Sequence, residues 1–291
     1  MNHIEKLKQS IQFITEQRPS YQSILDFYSR VFIIQEQRLQ NIQVPAIDIE
    51  PDVLAIKQKN GLPLVDPSEF TIDLPSAVRA FKEICELAAR HAPGISFHAQ
   101  FLKKAISDQS IDPASFFTAV LNHDTAGLQD LSTLLDVPVQ QLFLLGHLSI
   151  TPSIRACAQQ LEPYLEKSDT LQHKDCPICG NGPDLSFLDL DGRQHLNCSF
   201  CAHQWQIKRV GCIFCRNTES QMQSYFFNET EKEYRVNVCD NCRQFVKQVD
   251  LRQMDREFFP DLEQVATLHL EIQAREKGYQ NDRIDENPGC Y

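Results

Sequence analysis

Apolar residues recur at the spacing of one helix face through the first 168 residues of the chain. Two such stripes consist of Ile24, Leu25, Tyr28, Val31 and Phe32, and of Val78, Phe81, Cys85 and Ala88. A period near 3.6 residues is typical of amphipathic helices that pack around a shared core. The segment 142–150, LFLLGHLSI, is apolar nearly all round. We therefore expect it to be a helix that runs through the middle of a helical bundle.

Capping residues and prolines mark the expected helix boundaries in this part of the chain. Asp112-Pro113 and Thr151-Pro152 each place an N-capping side chain before a proline, and an apolar stripe follows each pair. Proline at the first helical position is a start signal, so two helices are predicted to begin there. The segment 43–75 carries Pro45, Pro51, Pro63, Pro67 and Pro75. That is too many for a regular element and predicts an ordered crossover.

The pattern changes from helical spacing to alternation after Lys167. Alternating apolar positions between residues 176 and 249 include Trp205 and Ile207, and Tyr234, Val236 and Val238. Alternation with a period of two is typical of half-buried strands, and Asp191-Gly192 between two such runs predicts a hairpin turn. This part is predicted to form a pair of small β-modules.

A last helix is predicted after Phe259-Pro260, with Asp261 as its cap and its end near Gly278. Its apolar stripe consists of Leu262, Val265, Ala266, His269 and Ile272. The remaining tail to Tyr291 has no regular pattern.

Composition and charge limit where in the cell the protein is expected and which classes of partner it is expected to bind. The 291 residues are 42% hydrophobic, which is enough to bury a sizeable core, and the formal net charge is −11. The first twenty residues lack the apolar centre of a secretory signal, and no apolar run is long enough to span a membrane. We expect a cytoplasmic protein without membrane insertion. Because the charge is negative and no basic block interrupts it, we expect no nucleic-acid partner.

Eight of the eleven cysteines form four Cys-x-x-Cys pairs, which without a signal peptide point to metal ligands more than to disulfides. The intervals between consecutive pairs are eighteen, ten and twenty-three residues. Eighteen or twenty-three residues leave room for a β-hairpin between two knuckles, the rubredoxin-like or zinc-ribbon-like layout, whereas ten leave room for one strand. Sequential pairing is therefore predicted. Site 1 would hold Cys176, Cys179, Cys198 and Cys201, and site 2 would hold Cys212, Cys215, Cys239 and Cys242.

Four thiolates in tetrahedral geometry suit zinc or a single iron ion. No Cys-x-x-Cys-x-x-Cys run is present, which argues against an iron–sulfur cluster. The expected cofactors are two metal ions, iron or zinc, one per four-cysteine site. In the first knuckle, Gly180 after the second ligand eases a positive φ, whereas the other knuckles have Ala202, Arg216 and Arg243 there.

The predicted fold class is α+β, with an N-terminal all-α helical domain, two small rubredoxin-like or zinc-ribbon-like β-modules and a C-terminal helix. The expected domains are 1–168 for the helices, 172–210 for the first four-cysteine module, and 211–291 for the second module with the C-terminal helix and tail.

Six further side chains are interpreted as ordinary core, boundary or tail residues, namely Cys85, Cys157, Cys290, His147, His269 and Trp205. His195 and His203 flank the second knuckle and could reach a metal ion, but the eight cysteines already complete two sites. No nucleotide-binding, hydrolase or metalloprotease motif is present. A site closed by four cysteines also lacks the open position that catalytic zinc requires. We therefore predict no catalytic residue, no binding residue for an organic cofactor, and a protein that is not an enzyme.

The arrangement CPICG, NCSFC, a tryptophan four residues after Cys201, GCIFC and CDNC, followed by a helix and EKGY, resembles the formate dehydrogenase accessory protein family, FdhE. The resemblance covers residues 172 to about 280 closely and 43–165 more loosely. It implies a cytoplasmic assembly factor or chaperone that binds the catalytic subunit of formate dehydrogenase during maturation and that is required for its activity. It also implies rubredoxin-like sites that can hold iron, with the eight paired cysteines as functional residues.

Two other function classes stay open at this point. A rubredoxin-like electron carrier is one, because an iron ion with four cysteine ligands can cycle between two oxidation states. A zinc-ribbon nucleic-acid-binding protein is the other, although the negative net charge opposes it. Association into a homo-oligomer is left open as well.

Overall fold

The computed structural model describes residues 2–165, 174–208 and 210–281. The helices are α1 (His3–Gln17), α2 (Gln22–Leu39), α3 (Pro51–Asn60), α4 (Leu74–His91), α5 (Ser96–Ser107), α6 (Pro113–Leu121), α7 (Thr125–Leu135), α8 (Val139–Leu161), α9 (Pro260–Ala266) and α10 (Leu268–Glu276). The strands are β1 (Pro183–Leu188), β2 (Gln194–Cys198), β3 (Gln204–Ile207), β4 (Gln223–Phe226), β5 (Tyr234–Cys239) and β6 (Phe245–Asp250). The predicted α+β class, with helices first and a four-cysteine β-region and C-terminal helices after them, is confirmed.

The residues group into two compact units. The first comprises residues 2–47 and 66–160, and the second comprises 48–65 with the described residues from 161 onward. Within the described ranges, we find no helix with the length and apolar character needed to cross a membrane.

The first unit is a helical assembly with an aromatic core. The α4 stripe is fully buried at Phe81, and the Phe81 ring meets the rings of Phe116 and Phe117 on α6 edge-on at 5.5 and 5.9 Å. The predicted start of α6 is confirmed, because the Asp112 carboxylate accepts the backbone N–H of Ser115 at 2.8 Å. The local capping signal therefore sets where α6 enters this core.

The predicted helix start at Thr151-Pro152 is wrong. A single helix, α8, continues through Pro152. The Thr151 side chain does not cap a new helix; its Oγ1 donates to the carbonyl oxygen of His147, 2.8 Å away in the preceding turn. The segment 142–150 is buried as predicted, with Leu142, Leu145 and Ile150 fully enclosed.

The proline-rich segment 43–75 is less irregular than predicted, because α3 forms within it. Pro51 occupies the first turn of α3, where its missing N–H costs nothing, and Gly61 ends the helix at a φ of 62°. Beyond α3, the N–H groups of Leu64 and Val65 donate to the carbonyl oxygens of residues 177 and 178 at 3.0 and 2.9 Å. These bonds explain why 48–65 groups with the second unit.

The second unit contains one six-stranded sheet with the order β3-β2-β1-β6-β5-β4. Neighbouring strands are antiparallel except β1 and β6, which are parallel. The predicted hairpin turn between β1 and β2 is confirmed, with Gly192 at a φ of 77°. Strands from both predicted modules, 172–210 and 211–291, join in this one sheet. The division into two modules stays a proposal.

The predicted C-terminal helix is divided into α9 and α10. Phe259 holds the N-cap position because Pro260 is the first helical residue, so Asp261 falls in the first turn instead of capping. At the break, Thr267 Oγ1 donates to the carbonyl oxygen of Glu263 at 2.7 Å. The apolar face of α10 packs on the sheet through Leu270 and Ala274, whereas Ile272 of the predicted stripe is exposed.

Candidate metal centres

The structure gathers the eight paired cysteines into two clusters with the membership that the spacing predicts. They are Cys176, Cys179, Cys198 and Cys201 in the first cluster, and Cys212, Cys215, Cys239 and Cys242 in the second. In each cluster the four sulfur atoms lie within 4.8 Å of one another. The Cys179 sulfur is 3.5 Å from that of Cys198, and the Cys215 sulfur is 3.7 Å from that of Cys239.

These distances fit four ligands around one ion. A tetrahedral zinc site with bonds of about 2.3 Å places its ligand sulfurs about 3.8 Å apart. A disulfide needs about 2.05 Å, far below the 3.5 Å between Cys179 and Cys198. Each cluster can therefore hold one metal ion. The donor set of four sulfurs suits zinc and iron equally.

All four knuckles share one backbone turn. The residue after the second cysteine has a positive φ in each, at 76° for Gly180, 58° for Ala202, 59° for Arg216 and 59° for Arg243. Its N–H donates to the carbonyl oxygen of the first cysteine at 2.8 to 3.2 Å. This conformation costs a non-glycine residue about 1–2 kcal/mol. The turn is therefore imposed on three positions whose side chains do not favour it.

N–H groups point at the sulfur atoms from several directions. The backbone N–H of Phe200 donates to Cys198 Sγ at 3.4 Å, and that of Phe214 donates to Cys212 Sγ at 3.4 Å. Two asparagine side chains do the same, from Asn181 Nδ2 to Cys179 Sγ at 3.6 Å and from Asn241 Nδ2 to Cys215 Sγ at 3.4 Å. Such donors stabilise thiolate charge.

Sequence reasoning did not single out Asn181 or Asn241. Asn241 lies between the two cysteines of CDNC, and Asn181 follows the first knuckle directly. An amide donor within two residues of a ligand pair is the signal that could have identified both.

The environment of the first cluster disfavours four bare thiolates. Burial raises the pKa of Cys198 and Cys201. Hydrogen bonds from the neighbouring thiols, Cys176 foremost, lower the pKa of Cys179. One thiolate is thus favoured over its neighbours, and a cation would supply the charge that lets the others ionise.

The cysteines of the second cluster also differ from one another in pKa. Burial raises the pKa of Cys212 to about 11. At Cys215 a burial cost is outweighed by hydrogen bonds from the N–H groups of Asn217 and Asn241, so the pKa falls to about 6.

The two clusters differ in exposure. Every cysteine of the first is about 2% exposed. In the second, Cys239 is buried and the other three are partly exposed. Solvent and other molecules therefore reach the second cluster more easily.

The histidines that flank the second knuckle point to other partners. His195 Nε2 lies 3.0 Å from Asp189 Oδ2, and His203 Nδ1 lies 3.2 Å from Glu162 Oε1. The His203 ring is also parallel to the buried ring of Trp205 at 6.4 Å. Cys85 and Cys157 are fully buried in the helical unit, as core residues would be. Cys290 lies outside the described residues.

Sequence comparison finds proteins that are similar to this chain. Residues 175–209, which contain the first cluster, match the family model of the FdhE central domain. A protein FdhE homolog of Aquifex aeolicus is 23% identical over 273 residues, covering 92% of this chain and 89% of the relative. A protein FdhE homolog of Haemophilus influenzae strain Rd is 23% identical over 267 residues, covering 85% and 82%.

Structural comparison extends the similarity in fold to nearly the whole chain. The crystal structure of the FdhE protein from Pseudomonas aeruginosa aligns with a TM-score of 0.67 and 18% identity. The alignment covers 96% of this chain and 92% of that one. The helices and the sheet thus belong to a fold already observed for an FdhE protein.

Proposed function

We propose that this chain, which belongs to the FdhE family, is a non-enzymatic accessory factor of the cytoplasm that formate dehydrogenase needs in order to become active. It binds the catalytic subunit of that enzyme during maturation, as an assembly factor or chaperone. Its eight paired cysteines hold two metal ions, iron or zinc, one in each cluster.

The observation that carries this proposal is the pair of closed four-sulfur clusters in a chain similar to FdhE homologues over most of its length. Four protein ligands complete a tetrahedral ion and leave no position for a substrate. The clusters therefore suit a structural role or a role in electron transfer. An accessory role through contact with another protein fits both.

The metal ions have a structural task in the second unit under this proposal. The knuckle pairs terminate or connect short strands, and β3 and β4 have only four residues each. Structural thiolate sites supply roughly 10–16 kcal/mol to small modules. We therefore infer that the sheet needs both ions in order to stay folded and present a surface to a partner.

A second candidate is electron transfer through the second cluster, which the partial exposure of Cys212, Cys215 and Cys242 favours. With iron bound, this cluster would act as a rubredoxin-like carrier. Visible absorption of the oxidised protein that bleaches reversibly on reduction would support that role. Protein purified without oxygen and containing only zinc would exclude it.

Gene deletion with complementation tests the proposed function. Deletion should abolish formate dehydrogenase activity while the enzyme's subunits are still synthesised, and the wild-type gene should restore activity. Tagged protein should retrieve the catalytic subunit from extracts. A Cys176→Ser variant should retrieve less of it, because loss of one ligand opens the first cluster, whereas Cys85→Ala serves as the control outside both clusters.

Normal formate oxidation in the deletion strain would contradict the accessory role. Full complementation by a variant without all eight paired cysteines would show that the clusters are dispensable. Formate oxidation by the purified chain alone would contradict its assignment as a non-enzyme.

A further inference from the structure

The second unit contains a cavity of about 220 Å³ on one side of the sheet, between β4, β5, β6 and the turn of the third knuckle. Its lining includes Phe214, Tyr225, Arg235, Asn237, Gln244 and Gln248. Such a volume holds one side chain with part of its backbone, or a molecule of similar size. The lining is rich in carboxamides and aromatic rings, which suits a ligand with both polar and apolar parts.

Three polar residues form a continuous row across the sheet beneath this cavity. Arg235 on β5 lies directly opposite Gln248 on β6, and Gln248 lies beside Ser186 on β1. Opposed residues project from the same face of a sheet. Gln248 Nε2 donates to Ser186 Oγ at 2.9 Å, which fixes the amide on that side.

Gln248 carries an acceptor that the described residues leave unused. Its side chain is 2% exposed, yet its Oε1 atom accepts no hydrogen bond within the described part of the chain. A buried polar atom without a partner carries a cost in free energy. A ligand N–H or O–H would remove that cost.

Arg235 supplies the charge of the site. Among the described side chains that line the cavity, apart from thiols of the second cluster, it is the one with a formal charge. Its guanidinium lies 5.2 Å from the centre of the Tyr225 ring, which holds it over the strand. A guanidinium pairs with carboxylates through parallel hydrogen bonds. The cavity thus combines a cation for a carboxylate with an acceptor for a nearby N–H.

We propose that this cavity binds an acidic residue of an extended peptide segment, with its carboxylate on Arg235 and a backbone N–H on Gln248. The choice of a peptide rests on the proposed function, because an accessory factor acts on another protein chain. The ligand class itself rests on the paired donor and acceptor.

A neighbouring cavity supports a peptide over a single small molecule. It measures about 190 Å³ and shares Tyr225, Arg235 and Gln248 with the first cavity. The two together follow β5 from Tyr234 to Cys239. Six residues of strand span about 17–20 Å, the length of a short extended peptide. The second cavity also contains the charged side chains of Lys232, Glu233 and Asp250. Arg252 holds Asp250 through both carboxylate oxygens, and the charge of Arg235 also acts on Asp250.

Fluorescence polarisation with the full-length, metal-loaded chain tests this site. The probes are a fluorescein-labelled Ser-Thr-Glu-Thr-Ser peptide, amidated at its end, and the same peptide with glutamine for glutamate. We expect the glutamate peptide to bind at least tenfold more tightly. Arg235→Gln should remove that preference, whereas Gln248→Met should weaken both peptides equally because both offer the same N–H. Arg193→Gln, an exposed change that lines neither cavity, should alter nothing.

Each contrary result has a defined meaning. Equal binding of the two peptides, or an unchanged preference in Arg235→Gln, would overturn the site, as would the absence of binding to the wild-type chain. Free glutamate that competes as well as the peptide would overturn the choice of a peptide. If Arg235→Gln loses metal or folds poorly, Arg235→Lys replaces it and should keep part of the preference.

The site and the proposed function fail separately. A wild-type chain that restores formate dehydrogenase activity but binds the two peptides equally would overturn the site alone. A chain that shows the glutamate preference but is not needed for formate dehydrogenase activity would overturn the function alone.

Discussion

Gln35 on α2 donates its side-chain Nε2–H to the carbonyl oxygen of Leu148 on α8 at 2.8 Å, and both groups are buried. Leu148 stands four residues before Pro152, so its carbonyl is the one that the missing N–H of Pro152 leaves without a helical partner. Gln35 replaces that donor. This bond explains why α8 continues through a proline that, by sequence, marks a helix start.

Replacement of Gln35 by leucine should therefore destabilise the helical unit by about 1–3 kcal/mol, since the Leu148 carbonyl would be buried without a donor. Urea unfolding followed by circular dichroism would measure the loss. Gln37→Leu, an exposed change on the same helix, should have little effect. Equal losses of stability in the two variants would contradict the role given to the Gln35 hydrogen bond. Adding Pro152→Ala to Gln35→Leu should recover part of the loss, because alanine restores the N–H.

Metal stoichiometry should follow the two clusters. The wild-type chain should bind two ions, and Cys201→Ser and Cys212→Ser should each lose one of them, because each opens a different tetrahedron. The double variant should bind none. Elemental analysis of protein purified without oxygen measures this, with Cys85→Ala as the two-ion control. Equal and non-additive losses from Cys201→Ser and Cys212→Ser would place both cysteines on one ion.

Two substitutions at the position after a knuckle should change the free energy of unfolding in opposite directions. Gly180→Ala should lower the free energy of unfolding by about 1–2 kcal/mol, because alanine is strained at that φ and its Cβ would lie 3.2 Å from Pro63 Cγ. Ala202→Gly should raise stability, by up to about 1 kcal/mol, because it relieves the same strain. Fluorescence of Trp205, the single tryptophan, reports unfolding of the region. Destabilisation by both exchanges would contradict the strain argument.

Asp184 should make stability depend on pH. Burial, only partly offset by a hydrogen bond from Asn197, raises its pKa to about 6, above the unfolded value. The folded state therefore keeps the proton longer, so stability present below about pH 4 is lost as the pH rises to about 6. Asp184→Asn removes this loss. Its advantage over the wild-type chain should grow by about 1 kcal/mol between pH 5 and pH 7 in urea unfolding, and a constant difference would contradict the assigned pKa.

Local signals predicted several of the elements correctly. The stripes of α2 and α4, the cap at Asp112 and the turn at Gly192 depend on neighbours in sequence, and each is confirmed. The cysteine groups also follow from interval lengths alone. These features are readable because a few adjacent residues determine them.

Two features could not be predicted because they depend on contacts between residues far apart in sequence. The continuity of α8 depends on Gln35, which lies 113 residues from Leu148. The segment around Leu64 groups with the second unit because its backbone is hydrogen-bonded to the first knuckle. No local pattern encodes contacts of this kind.

The parallel pairing of β1 with β6 also has a consequence for the order in which the chain assembles during translation. Ser186 and Gln248 lie in neighbouring strands but are 62 residues apart in sequence. The ribosome completes the ligands of the first cluster at Cys201, well before β6 exists. Until β6 is synthesised, one edge of β1 has no strand to pair with, and closing so long a loop is slow. The nascent chain thus has its first ion-binding cluster early and its complete sheet last.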